Sequence, residues 1–236
     1  MAVNKDSNGY TFFFAIALVV VVGAGLAAIS MGLKPMQDKN VMVKKKMDIL
    51  SAIKIESTRK NGADLYAEYI DEESSVVLDS EGNIVDGKVA FDVDIKKQYR
   101  DKTLDKKDRD YPLYVANVDG ETKYIIPVVG SGLWGPIWGF LSVNSDKQTI
   151  YGATFDHKTE TPGLGAEIKQ AFYYNQYEGE TISADGAFTK IKSVKDGTGS
   201  MPGRVDGITG GTITSKGVEE MVNRTVEVYV KYFNKI

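Results

Sequence analysis

From Ser7 to Leu33 the sequence carries no charged residue, and the run from Phe12 to Ile29 within it is built of apolar and small side chains. A helix rises about 1.5 Å per residue, so a stretch of this length crosses a hydrocarbon core of about 30 Å. The first element is therefore expected to be a transmembrane helix over residues 10–33, behind a short tail at 1–9. A cleavable leader is the competing reading, because Ala24 to Ala28 offers small residues. The opening Met-Ala-Val-Asn-Lys-Asp has little net positive charge and the apolar run is long, which favours a retained anchor. Lys34, Lys39, Lys44, Lys45 and Lys46 follow the span while only Lys5 precedes it. Taken alone, this positive-inside bias would hold the following domain in the cytoplasm.

About 200 residues remain, enough for one large domain or two small ones, and one is expected, over 59–236. Apolar residues make up 42% and charged residues 26%, so a core can be buried and global disorder is excluded. A net charge of −3 gives no basic footprint, which argues against nucleic acid as a partner. Cysteine is absent, excluding disulfides, iron–sulfur ligation and thiolate zinc sites, and the single histidine, His157, cannot supply paired imidazoles to a transition metal. Redox chemistry in such a chain needs a bound organic cofactor.

Val43, Met47, Leu50 and Ile53 repeat with helical spacing beside a lysine-rich face, predicting a juxtamembrane helix over 34–58. A second short helix is expected within Asn61–Ile70, then a strand with a turn at Glu81-Gly82-Asn83. Lys96–Asp110 reads as a solvated, charge-rich connection. Two hairpins follow: Pro112–Val118 with Thr122–Val129, and Pro136–Asn144 with Lys147–Phe155. Leu164–Tyr174 reads as helix, Ala187–Val194 as strand, and a last helix is expected from about Ser215 to Phe233. Its buried face would carry Val218, Met221, Val222, Val226, Tyr229, Val230 and Phe233. Strands grouped together, with helices before and after, give an α+β class: one N-terminal transmembrane helix, then a mainly antiparallel sheet flanked by helices.

Gly130-Ser131-Gly132-Leu133-Trp134-Gly135 matches the dinucleotide fingerprint, with Asp156 downstream. That mechanism needs a helix directly after the glycines, whereas Pro136–Asn144 reads as strand. A tight turn is expected instead, with Trp134 either packed in the core or covering a flat cofactor ring.

Two glycine-rich segments precede expected helices: His157–Ile168 and Val205–Val222. In the second, Gly210 and Gly211 permit close backbone approach, Thr212 presents a hydroxyl, and the following helix start offers free N–H groups suited to a phosphate. Spacing alone also allows a plainer reading, with Thr214 or Ser215 as an N-cap and Glu219 and Glu220 as first-turn acids. Asp206-x-x-Thr209-Gly210-Gly211-Thr212 resembles the flavinylation signature Asp-x-x-Ser/Thr-Gly-Ala-Ser/Thr, departing from it only at Gly211. His157-x-x-Glu160-Thr161-Pro162-Gly163-Leu164-Gly165 resembles the flavin-side loop of the same proteins. Ser131–Gly135 resembles the corresponding turn in the C subunits of the sodium-translocating NADH:quinone oxidoreductases, and with the N-terminal span the resemblance covers essentially the whole chain.

The resemblance implies FMN esterified through its phosphate to Thr212, with Asp206 required by the flavin transferase that attaches it. It implies that Trp134, Glu160, Thr161 and Leu164 border the isoalloxazine, with Thr209, Gly210, Gly211, Thr214 and Gly165 completing the site. Considered singly, each of the four has an ordinary reading: Trp134 as core, Glu160 as a solvated acid, Thr161 as a turn residue before Pro162, Leu164 as a helix start. The implied function is an electron carrier with no catalytic side chain and no metal, set in the bilayer of a bacterial inner membrane, its domain on the periplasmic side. The implied partners are an NADH-oxidising subunit with FAD and an iron–sulfur cluster upstream and a second flavinylated subunit downstream toward quinone, in a complex that exports sodium. Two alternatives stay open: the G subunit of the related ferredoxin-dependent complex, and a membrane-anchored scaffold without a redox role.

Overall fold

A computed structural model describes residues 7–236, so positions 1–6 of the expected tail lie outside the described residues. The first helix, α1, runs from Asn8 to Ala52, with the Ser7 hydroxyl accepting the Tyr10 N–H at 3.3 Å. It passes through Pro35 without a break, so the expected membrane and juxtamembrane helices are one element. Its apolar side chains, Phe12, Phe13, Val19, Val21 and Leu26 among them, stand exposed.

The chain divides into two compact units, of which the second is Lys46–Ile236. In it, α1 stops at Ala52, earlier than the expected 58. Lys54 takes a positive φ of 63°, its N–H bonds to the Ser51 carbonyl at 3.0 Å, and the Ile55 N–H reaches back to Leu50 at 3.0 Å. This is a Schellman ending, with lysine where glycine is usual.

There follow α2 (Gly62–Tyr69), β1 (Ile70–Leu78), α3 (Ile95–Arg100), β2 (Tyr111–Val118), β3 (Glu121–Ser131), β4 (Pro136–Val143) and β5 (Ile150–His157). The five strands form one antiparallel meander in the order β1-β2-β3-β4-β5. The central strands β3 and β4 read as nearly continuous apolar runs because both of their faces are covered. Leu113, Ile126, Leu141 and Phe155 face one core cluster, while Tyr114, Ile125 and Phe140 face the other.

The expected helix over Leu164–Tyr174 is instead a 3-10 turn at Gly165–Lys169, the single α-turn α4 (Ala171–Tyr174) and another 3-10 turn at Asn175–Tyr177. Gln170 is extended, with ψ 147°, and interrupts the run. Two short pairs follow: β6 (Ser183–Ala184) with β7 (Ala187–Phe188), and β8 (Lys192–Val194) in parallel with β9 (Arg204–Asp206). The strand expected over Ala187–Val194 is thus divided. Asn223 explains the division at Ile191, since its side-chain amide bonds both the Ile191 N–H (3.0 Å) and carbonyl (2.8 Å), replacing a strand partner.

The last helix, α5, spans Thr212–Phe233 and buries all seven of the expected apolar positions against the sheet. Tyr229 donates to the Pro112 carbonyl at 2.7 Å and Arg224 to that of Val129 at 2.6 Å. Gly217 lies directly on the Ser131 carbonyl, where any side chain would clash, so the first turns of α5 press on the end of β3.

Candidate functional site

That close approach brings the start of α5 beside the β3–β4 turn. Residues 130–135 close a hairpin, with the Gly132 N–H bonded to the Gly135 carbonyl at 2.8 Å and β4 beginning at Pro136. No helix follows these glycines, so a pyrophosphate would find no amides there.

A cleft of ≈ 170 Å³ opens where three segments meet. The turn supplies Leu133 and Trp134, the loop after β5 supplies Glu160, Thr161, Leu164 and Gly165, and the α5 start supplies Gly210, Gly211, Thr212, Ile213 and Thr214. Trp134 is 66% exposed and Ile213 59%, and with Leu133 and Leu164 they form an apolar rim that faces solvent. Neither Trp134 nor Leu164 has gone into the core.

The Thr212 end of the cleft is polar in another way. Gly211 occupies the N-cap position and no side chain caps the helix. Ser215 is the first amide to bond back, to the Gly211 carbonyl at 2.9 Å, so the amides of Thr212, Ile213 and Thr214 lack a helical partner. No acidic residue lies in this first turn. The helix thus starts three residues before the expected Ser215. The Ser215 hydroxyl donates to the Gly211 carbonyl and accepts the Ile208 N–H, both at 3.0 Å, bracing the turn instead of capping the helix. Gly210 makes that turn possible, since its φ of 74° is left-handed.

Glu160 joins the three segments. It is only 5% exposed, and its carboxylate accepts the Trp134 N–H at 2.7 Å and the Thr214 hydroxyl at 2.6 Å. Its own N–H donates to His157 Nδ1 at 3.2 Å, and the Thr159 hydroxyl donates to the Trp134 carbonyl at 2.8 Å. Glu160 is therefore not a solvated acid. Thr214 is buried with its hydroxyl committed to Glu160.

Of the residues named from sequence, Asp206 and Thr209 do not line the cleft. Thr209 is exposed on the turn before Gly210. Asp206, also exposed, ends β9; its carboxylate accepts the Gly199 N–H at 3.1 Å. Gln176 holds its backbone, accepting the Asp206 N–H at 2.6 Å. Leu133 and Ile213 were missed from sequence, though each adjoins a residue that was named, and an apolar side chain within a glycine turn was the available signal. Gln176, 30 residues from Asp206, left no such signal.

Residues 132–227 match the FMN-binding domain family. The chain is 33% identical to the C subunit of the Na(+)-translocating NADH-quinone reductase of Vibrio parahaemolyticus, over 93% of this chain and 90% of that protein. The C subunit of the Pseudomonas aeruginosa enzyme is 28% identical over 93% of this chain and 92% of its own. Among solved structures, the C subunit from Parabacteroides distasonis superposes with a TM-score of 0.75 at 42% identity, covering 85% of this chain and 96% of that one. NqrC of Shewanella oneidensis, 24% identical with a TM-score of 0.66 over 82% of this chain and 96% of its own, shares the fold. The chain belongs to the family of C subunits of the Na(+)-translocating NADH-quinone reductases.

Proposed function

We propose that this chain is the flavin-bearing electron-carrier subunit of a Na(+)-translocating NADH-quinone reductase, holding FMN as a phosphoester on Thr212. The observation that carries the covalent link is the position of Thr212, at the uncapped start of α5 inside a cleft with an apolar rim. FMN, when bound, supplies the one-electron redox chemistry of such a carrier.

The residues fit such a group. The free amides of Thr212, Ile213 and Thr214, with the positive end of α5, suit a phosphate, and no first-turn carboxylate repels it. Gly210 and Gly211 let the backbone approach closely, and Leu133, Trp134, Leu164 and Ile213 offer apolar surface to a flat ring system. Thr161 stands at the mouth of the cleft, and the small Gly165 leaves room for the Glu160–Thr214 bond in its wall. Asp206 and Thr209, exposed and outside the cleft, are placed to meet a flavin transferase rather than the flavin. The near full-length relatives are named as C subunits of the NADH-quinone reductase, which disfavours a place in the ferredoxin-dependent complex.

The exposed apolar face of α1 suits a single-pass anchor in a bilayer among the complex's other subunits. The domain faces the periplasm, where a covalent bond stops FMN from being lost by dissociation, and long domains cross despite flanking lysines. Lys60→Cys, in a chain that has no cysteine of its own, would react with a membrane-impermeant maleimide in intact cells. Labelling only after lysis would reverse the orientation. The cofactor is tested by in-gel ultraviolet fluorescence and intact mass after co-expression with a flavin transferase. A dark band of unmodified mass, with the transferase active on another substrate, would return the chain to a scaffold role.

A further inference from the structure

The shape of the cleft does not require a charge at Glu160. Two apolar side chains could close the join between the β3–β4 turn and α5 at lower cost than a desolvated carboxylate. Instead the backbone is cleared around that carboxylate: a Cβ on Gly132 would stand 2.6 Å from Oε1, and one on Gly165 would collide with Oε2. Both of its bonding partners, the Trp134 amide and the Thr214 hydroxyl, are neutral groups, which bond the charge without cancelling it. At 5% exposure, solvent screens it weakly.

We infer that the Glu160 carboxylate sets the reduction potential of the flavin carried in this cleft, holding it low through a buried negative charge in the cleft wall. The inference rests on the flavin assignment proposed above. Each electron passed from an upstream flavin or iron–sulfur centre adds one negative charge to the ring system unless a proton follows. It leaves again to the next carrier, and no bond is made or broken. A fixed anion in the wall opposes that added charge, while the positive end of α5 favours it. Thr214 sits between the two, since its hydroxyl disperses part of the Glu160 charge.

Two substitutions separate charge from shape. Glu160→Gln keeps the size and removes the charge, so the midpoint potential rises. Thr214→Val keeps the charge and removes one donor to it, so the midpoint falls. A carboxylate that merely fastened the turn to the helix would, when loosened either way, shift both variants in the same direction. The measurement is anaerobic potentiometric titration of flavin absorbance on detergent-solubilised full chain co-expressed with the transferase, alongside in-gel fluorescence of the same samples. A dark wild type overturns the flavin assignment and this inference with it. A fluorescent wild type with Glu160→Gln equal or lower, or Thr214→Val equal or higher, overturns the inference and leaves the flavin in place. Should Glu160→Gln fail to fold, the sign of the Thr214→Val shift decides.

Discussion

On the sheet face covered by the end of α1, Ile49, Leu50, Ala52 and Ile53 pack on Tyr66, Tyr114, Ile125 and Phe140. Even the helix-end carbonyl of Ala52 is met, by the Ser142 hydroxyl at 2.5 Å. The face covered by α5 begins in the same way, with Val218 to Phe233 on Ile126, Leu141 and Phe155. Toward the start of α5 it changes: glycines replace side chains, amides go uncapped, apolar residues face outward and a carboxylate is buried. Under the end of α1 the core cluster is buried up to the last helical turn, whereas under α5 it gives way to a cleft at the helix start. The proposed flavin site thus falls where packing stops, at a helix start backed by a buried core.

The strongest break in this comparison is Thr212→Ala, expected to abolish covalent flavin altogether while leaving thermal unfolding near wild type. In-gel fluorescence and a melting curve together check it. Fluorescence retained by the variant would move the attachment to Thr209 or Thr214.

The reverse change is Leu50→Ala on the closed face. Leu50 is fully buried, so about 2–5 kcal/mol of stability is lost by denaturant titration in detergent, with flavin content per folded protein unchanged. A matching loss of flavin would mean that the two faces are not independent.

Gly165→Ala tests the open end itself. Its Cβ would collide with Glu160 and stand 2.5 Å from the Thr214 hydroxyl, costing about 1–3 kcal/mol. Unlike Leu50→Ala, it is expected to lower flavin incorporation as well, read as fluorescence per mole.

The smallest effects concern buried tyrosines. Burial pushes Tyr173 up to about 12 and raises Tyr177 and Tyr229 well above the ordinary phenol range. The unfolded chain ionises near pH 10, so the stability from these neutral phenols is full below about pH 10 and is lost as pH climbs through the folded values. Tyr177→Phe is expected to flatten this alkaline loss and to change stability at pH 7 by under about 1 kcal/mol, because it keeps the buried ring and removes a hydroxyl that has no partner within hydrogen-bond geometry among the described residues. Urea titrations at pH 7 and pH 10.5 check both statements.

Local pattern was enough for the elements whose partners lie along the chain. The uncharged run at Ser7–Leu33 was legible from its length, the two hairpins from apolar runs separated by turn residues, and the apolar stripe of α5 from its 3.6-residue period. The glycine segments flanking Thr212 were legible as places of close backbone approach. The end of α1 was not, because Lys54 occupies the left-handed position that glycine usually marks. Nor was the division of the strand at Ile191, whose partner is Asn223 on α5, 32 residues away.

The site divides along the same line. Sequence by itself determined which residues could serve: a hydroxyl after two glycines, an aromatic on a turn, and an acid before Pro162. Only the tertiary structure decided that Gly217 against Ser131 brings the turn to the helix start, that Thr212 rather than Ser215 opens the helix, and that Glu160 is buried between Trp134 and Thr214. The physical reason is that periodicity records which face of an element is buried, whereas a close approach or a buried charge depends on groups that the chain brings together only when it folds.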